Sequence, residues 1–85
     1  MPTVWIVPAG SDSAQEAASG DYLLRPRGDL YEVGKLDGSC TWIGSVAASL
    51  LPSLPEVSEP QQAPDQTAAL TAVQGVEVAE DLRGG

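Results

Sequence analysis

The sequence predicts a mainly β fold: a small antiparallel β-meander of three to four strands, with an extended proline-rich C-terminal arm and room for a short C-terminal helix. Three observations predict it. Thr3–Val7 (TVWIV) is a compact β-branched and aromatic run. Two tight-turn dipeptides, Gly28-Asp29 and Asp37-Gly38, separate alternating segments. Four prolines then fall between Pro52 and Pro64, which suits an extended chain and no sheet interior.

Taken in order, Thr3–Val7 reads as a strand closed by Pro8 and Gly10. Ser11–Gly20 is small and polar, with material for one helical turn around Ala14–Ala18 and no more. The strongest signal lies between Asp21 and Leu51. Asp37-Gly38 sits between EVGKL and SCTWIGSV and favours a two-residue type I′ loop. That loop sets Leu36 opposite Ser39, Lys35 opposite Cys40, Val33 opposite Trp42 and Tyr31 opposite Gly44. A tight turn at Gly28-Asp29 sets Pro26 opposite Tyr31, Arg25 opposite Glu32, Leu24 opposite Val33 and Tyr22 opposite Lys35. The two registers agree in lining up Leu24, Val33 and Trp42 on one face. Pro26 lacks a ladder donor, so its strand is expected at a sheet edge. The Thr3–Val7 strand is expected beside the Trp42 strand or along another edge.

Residues 1–51 thus form the predicted β domain, 52–64 a proline-rich linker, and 65–85 an acidic C-terminal arm. In the arm Asp65 is placed to cap a helix whose apolar positions Ala69, Leu70, Val73 and Val76 follow helical spacing, with Gly75 weakening its middle.

Composition limits the functions available. Eighty-five residues make one small domain. The chain has no Phe, so Trp5, Trp42, Tyr22 and Tyr31 are expected mostly inside or at an interface. The net charge is −8, which disfavours nucleic acid and anionic membranes as partners, because both need clustered Lys and Arg. The single cysteine, Cys40, rules out an intrachain disulfide. The N-terminus does not read as a signal peptide and no stretch has the length of a membrane span. A cytoplasmic or virion location is therefore expected.

Nothing in the sequence calls for catalysis, a metal or a cofactor. There is no histidine, so the commonest general base and metal ligand is missing. Cys40 has no imidazole to activate it and reads as an apolar filler near the Asp37-Gly38 turn. The chain carries no phosphate loop, EF-hand or dinucleotide fingerprint. Arg27-Gly28-Asp29 resembles the RGD loops of integrin ligands and falls at a predicted hairpin tip. Gly-Asp there is also ordinary turn chemistry.

The expected function is a non-enzymatic structural or interaction protein, an accessory subunit of a larger assembly such as a viral capsid decoration or cement protein. Its partners would be other protein subunits, and a homo-oligomer is open. Leu24, Tyr31, Val33 and Trp42 are the candidate partner-binding residues of the β face. Leu50, Leu51, Leu54, Val73 and Val76 are those of the arm, whose large apolar residues exceed what solubility requires. One alternative is a soluble acidic inhibitor or regulator of a basic or nucleic-acid-binding protein. Another follows from Leu82-Arg83-Gly84-Gly85, which resembles the tail of ubiquitin and its relatives. That resemblance implies a modifier activated at its terminal Gly-Gly, but it covers four residues, and residues 8–51 hold no convincing central helix.

Overall fold

The computed structural model describes residues 2–51 and 54–84. They form a five-stranded mixed sheet with one C-terminal helix. The strands are β1 (Val4–Ile6), β2 (Tyr22–Arg27), β3 (Leu30–Leu36), β4 (Cys40–Ala47) and β5 (Gln61–Gln62), followed by helix α1 (Gln66–Gly84). The strand order across the sheet is β4-β3-β2-β1-β5. A single 3₁₀ turn at Ala48–Leu50 follows β4.

The β2–β3 hairpin has the register predicted from its turn. Tyr22 pairs with Lys35, Leu24 with Val33, Arg25 with Glu32 and Pro26 with Tyr31. Gly28 takes a φ of +61°, and no non-glycine residue described has a positive φ. A left-handed conformation at the first loop position alone suits a type II′ turn, which needs glycine there.

The β3–β4 hairpin departs from its predicted register. The expected type I′ loop requires positive φ at both central residues, and Asp37 does not adopt it; only Gly38 does, at +77°. The loop therefore lengthens to Asp37-Gly38-Ser39, and Leu36 pairs with Cys40 and Lys35 with Thr41. The same register sets Gly34 opposite Trp42; beyond it a bulge at Ile43 shifts the register again, setting Val33 opposite Gly44. A one-residue slip transfers a side chain to the other face. Trp42 accordingly leaves the Leu24–Val33 row, and its ring lies over Gly34, where a Cβ would stand 2.9 Å from Cζ3.

Two further expectations are corrected by β1. It pairs with β2, and in parallel, Val4 with Tyr22 and Ile6 with Leu24, so the sheet is not purely antiparallel. Residues 7–21 lie between the two strands, long enough for the crossover that a parallel pair needs. The Pro26 strand is consequently internal. Tyr22 N–H and Leu24 C=O face β1, so Pro26, two residues on, also faces that side. There β1 has already ended at Ile6, and the missing N–H has no ladder partner to lose.

The proline-rich segment does not extend away from the sheet. Leu54 and Val57 pack against the core, and Gln61–Gln62 adds to β1 in antiparallel fashion. The Cα radius of gyration is 11.6 Å, close to the ~12 Å of a compact chain this long. Helix α1 then crosses the strands. Its first residue, Gln66, bonds Val4 on β1 through both side-chain amide atoms. Val76 stands over Gly44 on β4. Ten residues of helix span about 15 Å, which matches about 14 Å for three strand spacings. The Asp65 side chain caps the helix by accepting from Ala68 N–H at 3.1 Å.

The sheet therefore has two differently covered faces. On the helix face, Val4, Ile6, Tyr22, Leu24, Val33 and Val46 pack with Ala69, Leu70 and Val73. On the other, the 8–20 loop lays Ala14 and Ala17 over Trp5, Val7, Leu23, Leu36, Cys40 and Trp42.

Candidate functional site

The polar clusters inside the fold brace it. Asp21 is buried between β1 and the crossover loop and is fully engaged. Its carboxylate accepts from Thr3 N–H at 3.0 Å, Ala18 N–H at 2.9 Å and Trp5 Nε1–H at 3.0 Å. Burial acts to raise its pKa, but these donors outweigh it and hold the carboxyl below its ordinary value. On the helix face, Glu77 accepts from Tyr22 Oη at 2.8 Å and pairs with Lys35. The Lys35 ammonium and the Tyr22 hydroxyl lower the Glu77 pKa, and Glu77 raises that of Lys35. This trio latches α1 to β2 and β3.

The Cys40 thiol is half-buried, and burial together with the Asp12 charge pushes its pKa up, away from the reactive thiolate. Among the described residues, no group of three or more His, Cys, Asp or Glu is gathered as a metal site. No helix among them is long and apolar enough to cross a membrane.

The candidate partner-binding residues divide by burial. Leu24, Val33, Leu51 and Val73 are buried and belong to the core under α1. Tyr31, Leu54 and Val76 are partly buried against the same core. These seven side chains pack within the chain itself, and the arm's Val73 and Val76 cover the face that was expected to dock. Trp42 is half-buried on the loop face. Leu50 is 69% exposed.

What is left open is the β4 side of the molecule. β4 is an outermost strand of eight residues, none charged and none proline. On the loop face beside it, Arg25 stacks on the Trp42 ring at 3.8 Å to the centroid. The same guanidinium pairs with Glu32 at 2.9 Å, the cross-strand pair predicted from the turn, and donates to Ser11 C=O at 3.2 Å. Next to this stack is a shallow hollow of about 350 Å³, lined by Arg27, Leu30, Glu32, Trp42, Gly44 and Ser45. Beyond β4, Val78 and Leu82 on α1 are 57% and 79% exposed.

Sequence reasoning missed the Asp21 brace, the Glu77 latch and the Arg25–Trp42 stack. The first two join residues far apart in the chain and leave no local pattern. The third needed the β4 register, which depended on one extra loop residue. Arg27-Gly28-Asp29 does lie at the exposed hairpin tip, where Arg27 reaches Glu32 at 3.4 Å. Leu82, Arg83 and Gly84 lie within α1, while Gly85 is outside the described residues. Comparisons with protein-family models, curated proteins and solved structures found no match.

Proposed function

We propose that this chain is a non-enzymatic structural and interaction protein, a small accessory subunit that works by docking into a larger protein assembly. A decorated or cemented viral shell is one assembly of that kind. The outer face of α1 supports this reading most. Val78 and Leu82 are four residues apart, so they stack one turn above the other, and both are largely exposed. Gly75, one turn earlier, has open space above it. A chain short of large apolar side chains leaves these two, and Leu50, exposed to water. Covering the exposed part of each is worth about 1–2 kcal/mol, which the monomer forgoes and a partner recovers.

The test compares the wild type with Val78→Glu/Leu82→Glu. Each tagged chain is mixed with lysate of its source, crosslinked and sized. The wild type should elute in a complex of defined stoichiometry. The variant should elute alone while keeping the wild-type melting temperature. A variant that enters the same complex, or a wild type that stays monomeric, would refute the reading.

A further inference from the structure

We infer that the free edge of β4, beside the projecting end of α1, accepts an extended basic segment of a partner protein as an added strand. The inference rests on the docking reading only in taking the partner to be a protein; its surface is the adjoining sheet edge and not the face of Val78 and Leu82 itself.

The edge is suited to strand addition. Proteins normally blunt an outer strand by shortening it, charging it or inserting proline. Here β5, the opposite edge, has two residues, while β4 has eight with no charge and no proline. In the β3–β4 ladder, the backbone groups of alternate residues point inward and outward. Leu36 directs its N–H and C=O toward β2 and its neighbours, so Lys35 and Val33 face β4, where they pair with Thr41 and Gly44. The N–H and C=O groups of Cys40, Trp42, Ser45 and Ala47 therefore point away from the sheet. The bulge at Ile43 keeps Trp42 and Ser45 both directed outward.

Charge decides what occupies it. Three of the bases pair within the fold: Arg25 and Arg27 with Glu32, and Lys35 with Glu77. The chain still carries −8. Helix α1 reaches β4 at Val76, and residues 77–84 continue for about 12 Å. That end bears Glu80 and Asp81 against Arg83, and the helix C-terminus adds negative partial charge. A second copy would bring the same −8 and the same acidic helix end against the first. A basic strand is attracted instead. Side chains of an added strand alternate between faces. One set would lie beside α1 and favours Lys or Arg. The other would lie beside the hollow at Trp42 and Leu30 and favours apolar residues.

The probe is a ten-residue peptide of alternating Lys and Val, with an alternating Glu and Val peptide as control. Backbone amide NMR of the full chain reports the site. The Lys–Val peptide should shift and protect from exchange the amides of Cys40, Trp42, Ser45 and Ala47. Its binding should weaken several-fold from low to moderate salt, and the Glu–Val peptide should not bind. Ser45→Lys should weaken binding several-fold and Ser45→Glu should not, both at the wild-type melting temperature. Absence of shifts at those amides, equal binding of the Glu–Val peptide, or concentration-dependent protection of the same amides without peptide (a second copy) would each overturn the inference. Val78→Glu/Leu82→Glu adds negative charge beside the edge and should preserve or tighten peptide binding, while it abolishes the complex expected from the α1 docking face. Failure at the edge and failure of the α1 docking reading therefore give different results.

Discussion

Gly44 is the point where the helix meets the outer strand, and substituting it tests whether α1 belongs to the domain. A Cβ at residue 44 would stand 2.6 Å from Val76 Cγ1, about 1 Å inside normal carbon contact. Gly44→Ala must therefore displace Val76 or lift α1, at about 1–3 kcal/mol for overpacking. Replacing a strand glycine by alanine returns about 0.5–1 kcal/mol of backbone entropy. The net expectation is about 0.5–2 kcal/mol of destabilisation, measurable in a domain whose total stability is on the order of 4–13 kcal/mol. Val76→Ala alone should cost about 1 kcal/mol, because it removes two half-buried carbons. It also removes the atom that clashes. In that background Gly44→Ala should be neutral or slightly stabilising, so the double variant should be about 1–2 kcal/mol more stable than the sum of the single effects predicts. Urea unfolding followed by Trp5 and Trp42 fluorescence measures all four corners of the cycle. Equal destabilisation by Gly44→Ala in both backgrounds would refute the contact and, with it, the docking of α1 on β4.

Two further perturbations probe the polar braces. Asp21→Asn should cost about 2–4 kcal/mol, because an amide nitrogen cannot accept from donors that all point at the carboxylate. Since the folded pKa is depressed, the Asp21 contribution is fully present above the unfolded value of about 3.9 and is lost as pH falls through the folded value. Melting temperatures between pH 7 and pH 2 should thus fall less steeply in the variant, and parallel curves would contradict the assignment. Glu77→Gln should cost about 1 kcal/mol or less, since Lys35 is partly exposed. Its deficit should shrink in high salt, and a salt-independent deficit would mean that packing, and not charge, holds the latch.

The parts of the fold that were legible in the sequence are local. Gly28-Asp29 fixed the β2–β3 register because turn chemistry acts over four residues. The helix after Asp65 was legible for the same reason: a cap, a period and a run of good formers sit side by side. The β3–β4 register failed on the φ of one residue, Asp37, which propagated into the face of Trp42. The partners of Thr3–Val7 could not be read, because its parallel pairing with β2 and its contact with Gln61–Gln62 are set by three-dimensional closure. Leu24, Val33 and Val73 were recognised as apolar anchors. Whether they face a partner or one another depends on where α1 lands, and the feature that permits the landing is an absent side chain at Gly44.

Gln66 gives the opposite side of the sheet a property of its own. Its side-chain amide accepts from Val4 N–H at 2.8 Å and donates to Val4 C=O at 2.9 Å, imitating the peptide group of a neighbouring strand. With β5 beside it, the β1 margin is already satisfied where β4 is not. Head-to-tail polymerisation through sheets needs two receptive margins on every unit. Among the described strands the margin opposite β4 is the two-residue β5, too short to receive a full strand, so continuous stacking of sheets through both margins is disfavoured.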